Sequence, residues 1–583
     1  MAEIEQINGA DNGNQPDTLR QAYPKVNRNF TRVNNQLVGH IDSNAAHAAE
    51  TITYNGSAPG ANVKQAIDGL DTRIDGIVAQ AGDDNTEIVD ARGGYPVLGD
   101  RLNASDAQLA DKANKRWFDV KDYGALGDGT QDDTSYIQNA INDCNGSGGG
   151  IVLFPPGTYM VTSVVYKSNV DIIGSGIGAT IVKLINNTDG VSVFNTFDPV
   201  INVSIRDLQI DGNRENQTIY GHGIRSGTIG GITNGFFTNL YIKNTGAYGI
   251  GLQQGTYQNV RFENITIENT GLDGIDMKNI NNDNDEIFMS NITVISPGRD
   301  TSQSVQTGID CRGPVVLVNI VVRGLDADRC GIRFRPSGGT TGVGGGKSSL
   351  TNFSVYGTGT GTGSIGINVG DTDVRIANGY IYNTDYGIVT ESTAIRVQID
   401  NIEIDDANVN GLQLVSEYVK IRGSIIRNSA SYGARVGAGN IEIKDCLITG
   451  SGLRGINLLT GFSDISLIGN DLRGNTLGAV LDGGSTYTAR NNKGWVTEAN
   501  LVSSTIDCST TGAKTTTIAH GLSVTPALQD IILIPVITSG ATYVIDNVGV
   551  VSVNATNITV RLNVATAQAA STCSIIAQVR TKI

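Results

Sequence analysis

No stretch of this 583-residue chain strings together about 18 apolar residues, so none reads as a membrane-spanning helix. Charge is also scarce, at 17% Asp, Glu, Lys and Arg, and the balance is acidic, with a formal net charge of −15. This argues against a nucleic-acid partner, because a phosphate backbone must be met by clustered cations. The six cysteines lie far apart and form no CxxC pair, and there are only four histidines, so a zinc site is not expected. Buried free thiols in a protein made in a reducing cytoplasm account for them. The opening MAEIEQINGADNGNQ has no basic start and no apolar run, so it does not read as a secretion signal. Glycine, by contrast, is plentiful at 74 residues and follows no period of three, which assigns it to turns.

Four segments follow from the pattern. Residues 1–62 are polar and Asn-rich and read as an attachment segment. Residues 63–116 hold a short coiled coil and a linker. Val63, Ile67, Leu70, Ile74 and Ile77 are spaced 4, 3, 4, 3, with polar residues between them, which is the a/d spacing of helices that pack between chains. A Gly- and Asp-rich linker and a short helix over Asp106–Lys115 come next. Residues 117–498 are strand and turn throughout, and 499–583 alternate as in a separate β-sandwich-like cap that trimerises the chain or binds sugar.

At Trp117 the text becomes WFDVKDYGALGDGTQDDTSYIQNAINDCNGSGGGIVLFPPGTYMV. Phe118 and Val120 begin a strand, and Asp132 or Asp133 is placed to cap a helix. Tyr136, Ile137, Ala140, Ile141 and Cys144 line one helical face, and Ile151–Phe154 is a buried strand. The YGALGDGTQDDT run, the helix and GGGIVLFPPGTYMV resemble the opening of the pectate-lyase-like superfamily, common in phage tail spikes and polysaccharide-degrading enzymes. The resemblance covers roughly residues 117–185 and implies an all-β fold: a right-handed parallel β-helix with an N-terminal capping helix. It also implies a homotrimer. TEIVDARGGYPVLGDRLN (86–103) is similar to a segment recurrent in tail proteins of phages of Gram-positive bacteria. Together these imply a virion tail location, contacts with other tail or baseplate proteins through the N-terminus, and action at the host cell surface.

The repeat can be read without any resemblance. A Gly-apolar element recurs from Gly223-Ile224 to Gly478-Ala479 at intervals of 26, 25, 34, 23, 35, 21, 24, 22, 22 and 23 residues. Alternating runs such as VRFENITIEN lie between, so each period is one coil of a solenoid that covers the last. The two long coils place inserts at 276–308 and 331–366, the second with the tip PSGGTTGVGGGKSS. GSGIGA (174–179) is followed by strand-like TIVKL and not by a helix, so it is not a dinucleotide loop. The Asn-Ile-Thr triplets at Asn264, Asn291 and Asn557 read as turn-and-strand chemistry.

Stacked coils place equivalent residues about 4.8 Å apart. Aligning them on Gly-Ile gives an outward column of Arg225, Gly251, Asp276, Asp310, Arg333, Asn368, Val389, Gln413, Arg435, Asn457 and Val480. The next outward column runs Gly227, Gln253, Lys278, Arg312, Arg335, Gly370 and Glu391, and the residues before the glycines are His222, Tyr248 and Asp273 on three consecutive coils. Two adjacent carboxylates repel, which raises one pKa and supplies the acid and base of glycosidic cleavage. Asp276 and Asp310 are therefore the expected catalytic pair, with Asp273 as a third carboxylate. Arg333, Arg335, Arg312, Lys278, Tyr248, His222 and Gln253 are expected to hold the glycan, with the cations meeting acidic substituents and Tyr248 stacking on a sugar. His222, in GHG, resembles a polygalacturonase residue, but that family's acidic motifs do not appear in order. The leading expectation is a depolymerase of a bacterial surface polysaccharide, acting by hydrolysis. The alternatives are a lyase on a uronic-acid polymer, with Lys278, His222 or Tyr248 as base and Arg333 or Arg335 as neutraliser, and an adhesin that only binds. No metal or other cofactor is expected; calcium is the one ion left open, although nothing in the residues indicates it.

Overall fold

The computed structural model describes residues 117–583 apart from 189, 219–220, 228–230, 280–286, 303–305, 337–346, 496–497, 540–543 and 581–583; before 117 it describes 28, 30–35, 64–65, 67–74, 103–104 and 106. The chain divides into two units, Met1–Ala110 and Asp111–Ile583. In the first, residues 67–74 are helical, and Ile67, Leu70 and Ile74 stand exposed along one stripe. Val63 and Ile77, most of the expected helix at 106–115, the 86–103 segment but for Asn103 and most of the Gly-rich tip lie outside the described residues.

The second unit is the parallel β-helix expected from the repeat. Strands from Trp117–Asp119 to Tyr487–Arg490 pair in parallel, each with its equivalent in the next coil. A long face carries strands such as Ile287–Ile295, Val315–Leu325 and Ser349–Gly357. A short face carries the Gly-apolar elements, with Ile224, Ile250, Ile275, Ile309, Ile332, Ile367 and Ile388 in one register. That ladder is fully buried and merges with the inner residues of the long face into one core. The glycine before each apolar residue is forced by close approach: a Cβ on Gly249 would lie 2.7 Å from the Gly274 carbonyl and 2.5 Å from Ile267.

The asparagines have a physical reason too. Asn169, Asn202, Asn234 and Asn259 occupy the left-handed region at one corner of successive coils, where Asn is tolerated best after Gly. Their amides hydrogen-bond up the stack, Asn202 to Asn169 at 2.9 Å and Asn234 to Asn202 at 3.0 Å. Asn264 and Asn291, two of the Asn-Ile-Thr positions, form a similar pair at a second corner.

The helix Thr134–Gly146 packs on the first strands and buries Ile137, Ala140, Ile141 and Cys144, with Tyr136 half-buried. Its cap is shared between the two expected aspartates. Asp133 sits at the N-cap, but its carboxylate turns back to accept from the Leu126 and Gly127 amides, while Asp132 takes the Thr134 amide. TIVKL forms the strand Thr180–Leu184. The last coil corrects the register: Ile456 pairs with Val480, so Leu481, not Val480, follows Asn457 in the outward column. The Gly-Ala anchor at 478–479 carries one extra residue before its strand.

Beyond the coils, two antiparallel sheets enclose a second core. One joins Glu498–Val502, Ile506–Asp507, Ile531–Ser539 and Thr572–Arg580; the other joins Gly512–Ala519, Val544–Val553 and Asn557–Thr566. Ile532, Ile534 and Ile537 lie exposed on the strand Ile531–Ser539.

Candidate functional site

The site sits on the short face, where Ile275–Asn279, Gln306–Arg312 and Arg329–Arg335 stack. Register places Gly251, Asp276, Asp310, Arg333 and Asn368 in line, and Lys278, Arg312 and Arg335 beside them. Asp273, from the turn before Ile275, joins them. Each of Asp273, Asp276 and Asp310 offers a carboxylate oxygen within 4.8 Å of the others'.

Depth is where expectation and structure part. The outward column was expected to be exposed, yet Asp276 is 1% and Asp310 0% exposed, and Asp273 keeps 9%. The longer cations of the neighbouring column fold over the short acids. Arg335 grips Asp310 with two nitrogens, Nε at 2.8 Å to Oδ1 and its terminal nitrogen on Oδ2. Arg312 stands 3.5 Å from Oδ2. Lys278 Nζ lies 2.5 Å from Asp276 Oδ2 and 3.0 Å from Gln253 Oε1. A buried carboxylate so neutralised is worth far more broken than made, since removing one partner strands the charge. Arg333, in register with Asp310, pairs instead with Glu391 at 2.9 Å. What reaches solvent is the outer part of Lys278, Arg312, Arg333 and Arg335. Asp276 Oδ1, Arg312 Nε and Arg333 Nε are buried with no hydrogen-bond partner.

The three acids are not equivalent. Burial, then the nearby Asp276, pushes the Asp273 carboxyl up to about 7, although its Oδ1 accepts from the Thr307 amide at 2.5 Å. Asp310 lies between the guanidiniums of Arg335 and Arg312. The structure brings the expected pair, Asp276 and Asp310, together with the third carboxylate, Asp273, and gives each a different set of partners. The same three carboxylates are also, among the described residues, the one group compact enough to hold a metal ion; Lys278 and Arg335 already supply its countercharge.

His222 and Tyr248 form the side wall. Their rings stack at 4.9 Å and 17°, and Lys278 Nζ lies 5.4 Å from the Tyr248 centroid, so the tyrosine ring is not an open platform for a sugar. His222 Nδ1 accepts the Tyr248 backbone N–H at 3.2 Å, which puts the proton of the neutral ring on Nε2 and removes the histidine as a base. Burial, with Arg225 and Lys278 nearby, lowers its pKa to about 3. The Tyr248 phenol is pushed up, first by burial and then by Asp276 and Asp273. Asp371, which column reading passed over, is another buried acid, raised by burial to about 7.

Comparison with known proteins places this geometry in a class. Residues 117–333, which include most of the coils carrying the site, match the family model described as rhamnogalacturonase A/epimerase, pectate lyase-like. Mannuronan C5-epimerase AlgE2 of Azotobacter vinelandii is 38% identical over 131 residues, 20% of this chain and 12% of that protein. Alginate lyase 7 of the same organism is 37% identical over 138 residues, 22% of this chain and 16% of that protein. The chain thus spans under a quarter of the length of these curated relatives. Among solved structures, the pre-mature gene product 12 of bacteriophage phi29 matches 67% of this chain and 58% of its own, with a TM-score of 0.50 and 16% identity, which is a likeness of fold. Phage tailspikes are among its other structural neighbours.

Proposed function

We propose that the chain is a phage tail appendage that binds an acidic bacterial surface polysaccharide on the short face and cleaves it by hydrolysis. The observation that carries this reading is a carboxyl raised to about 7, Asp273, beside a second carboxylate, Asp276, whose Oδ1 has no partner. Environments that push two acids apart supply a proton donor and a base or nucleophile. The solvent-facing cations meet acid groups of the polymer. An acid group that draws Lys278 away from Asp276 Oδ2 uncovers the carboxylate, which couples substrate charge to catalysis. Asp310 and Arg335 position the fringe and take no proton.

The test is release of reducing ends from acidic capsular and cell-wall glycans of candidate hosts. Asp273→Asn and Asp276→Asn should each slow release by at least about 100-fold, and the wild-type rate should fall as pH rises through about 7. Release unchanged in both variants removes these residues as the catalytic pair, and saturable binding without release leaves an adhesin. One observation favours a second reading, abstraction of a proton from a uronate: the matching relatives are a mannuronan epimerase and an alginate lyase. Tyr248 would then be the proton carrier and the arginines the neutralisers, and ultraviolet absorbance from an unsaturated product would identify elimination. The same proposal includes a homotrimer seated in the virion through the N-terminus. Its support is the exposed stripe Ile67, Leu70 and Ile74, spaced to pack against copies of itself. Light scattering should give a trimer for the wild type and a smaller species when all three become Ser.

A further inference from the structure

A second cluster lies at another corner of the solenoid, where the coils turn onto the long face. Strands Ser349–Gly357, Arg375–Tyr382, Gln398–Asp405 and Val419–Arg422 begin there around a groove of about 600 Å³, within the range of saccharide-sized pockets. Register aligns Arg375, Gln398 and Lys420, and one position aligns Asp373, Arg396 and Tyr418 two residues before them. The latter is the corner that elsewhere takes Asn169, Asn202, Asn234, Asn259, Asn440 and Asp464 in the left-handed region.

Arg396 and Tyr418 break that rule. Both hold φ near +60°, a conformation costly for long or bulky side chains, at a place where Asn would sit without strain. Tyr418 is 50% exposed, so burial in the core does not repay the strain. Strain at an exposed aromatic, retained on two adjacent coils, points to a use for the side chain.

The charges point the same way. Arg396 closes on Asp373 with two contacts of 2.6 Å and holds that carboxyl below its ordinary range. Lys347, Arg375 and Lys420 remain, all exposed, and among the described residues none has a carboxylate within ion-pair distance. Glu442, next in register after Lys420, is held by Arg422 at 2.7 Å. Three unpaired cations beside an exposed aromatic run against the composition of a chain with net charge −15.

We propose that this groove is a second, non-catalytic binding site for an anionic oligosaccharide. Tyr418 packs its ring on a sugar face, as amphipathic aromatics do, while Arg375 and Lys420 take the acid groups. The proposal does not depend on cleavage at the carboxylate cluster, which lies on the other face. It gives the protein a hold on the polymer that outlasts each catalytic event.

The experiment is calorimetric titration of the full chain with three probes: an oligogalacturonate, a phosphorylated maltooligosaccharide, and the same maltooligosaccharide unmodified. At least one anionic probe should bind at least about tenfold more tightly than the neutral one, and the two anionic arms tell carboxylate from phosphate. Tyr418→Asn should weaken that binding at least about tenfold while leaving the melting temperature equal or higher, because Asn suits the backbone there. Arg375→Gln with Lys420→Gln should erase the preference for the anionic probe. Binding by neither anionic probe, equal binding of the neutral one, or full binding by Tyr418→Asn overturns the proposal. Loss of binding in Tyr418→Asn in a protein that cleaves nothing sustains it while the hydrolase reading falls.

Discussion

Replacing Asp273 with Asn should change how stability depends on pH, and the structure fixes the sign. In the fold this carboxyl titrates at about 7, against 3.8 when unperturbed. Between those values the folded chain holds a proton that the unfolded chain has lost, so the stability present below about pH 4 declines until pH passes about 7. At about 1.4 kcal/mol per pH unit, the gap corresponds to about 4 kcal/mol. Asp371, also raised to about 7, adds a decline of the same sign. His222 opposes both. It binds its proton only below about 3 in the fold but near 6.5 in the unfolded chain, so stability rises with pH across that interval. The wild-type profile is therefore flatter than its parts. Urea unfolding at about pH 4 and about pH 7.5, followed by circular dichroism, isolates each part by difference. Asp273→Asn should gain about 4 kcal/mol relative to wild type over that interval. His222→Gln should move about as far in the opposite direction. Exchange of the Thr307 amide, which donates to Asp273, reads the same titration locally. Parallel profiles for wild type and Asp273→Asn would refute the reasoning, because they would mean that Asp273 titrates alike in both states.

Arg335→Met should cost about 3 kcal/mol, because it strands the fully buried Asp310 beside Arg312 alone, and adding Asp310→Asn should recover part of the loss; strictly additive unfolding energies would deny the pairing. Gly249→Ala should destabilise by about 1–3 kcal/mol, since its Cβ meets the Gly274 carbonyl, and an unchanged urea midpoint would show that the coil spacing is softer than drawn. The buried Cys508 and Cys573 sulfurs lie 3.2 Å apart, so mild oxidation should join them without reduced unfolding as a prerequisite and stabilise the C-terminal sheets by about 4 kcal/mol on the loop-entropy scale; mass spectrometry under non-reducing conditions decides.

Most of the solenoid was legible because its rules are local and repeat. Each coil must bring a glycine against its neighbour's backbone, bury the apolar residue that follows, and turn through left-handed corners that Asn tolerates. Each requirement leaves a letter at a fixed place. The register slipped only at Val480, where the glycine anchor and the strand are separated by one more residue than elsewhere. The helix cap was legible only as a pair, with Asp133 at the N-cap and Asp132 taking the Thr134 amide. Spacing shows that Asp132 and Asp133 can both reach a helix start, but not that the GALGDG loop competes for one of them.

The site was legible in plan but not in depth. Column reading finds neighbours, because register is set by backbone pairing, and it brought Asp273, Asp276, Asp310, Lys278, Arg312 and Arg335 together. Whether an outward residue meets solvent is decided by the length of the side chains around it. Aspartate is short and arginine is long, so a column of acids flanked by a column of cations folds into a buried layer beneath a charged one. That rule places Asp310 beneath two guanidiniums and Asp276 beneath Lys278. Column reading passed over the Tyr418 groove for another reason. There the signal is not a cluster of reactive letters but a wrong letter, a tyrosine where the backbone asks for asparagine, and it becomes visible only once the register shows what each corner demands.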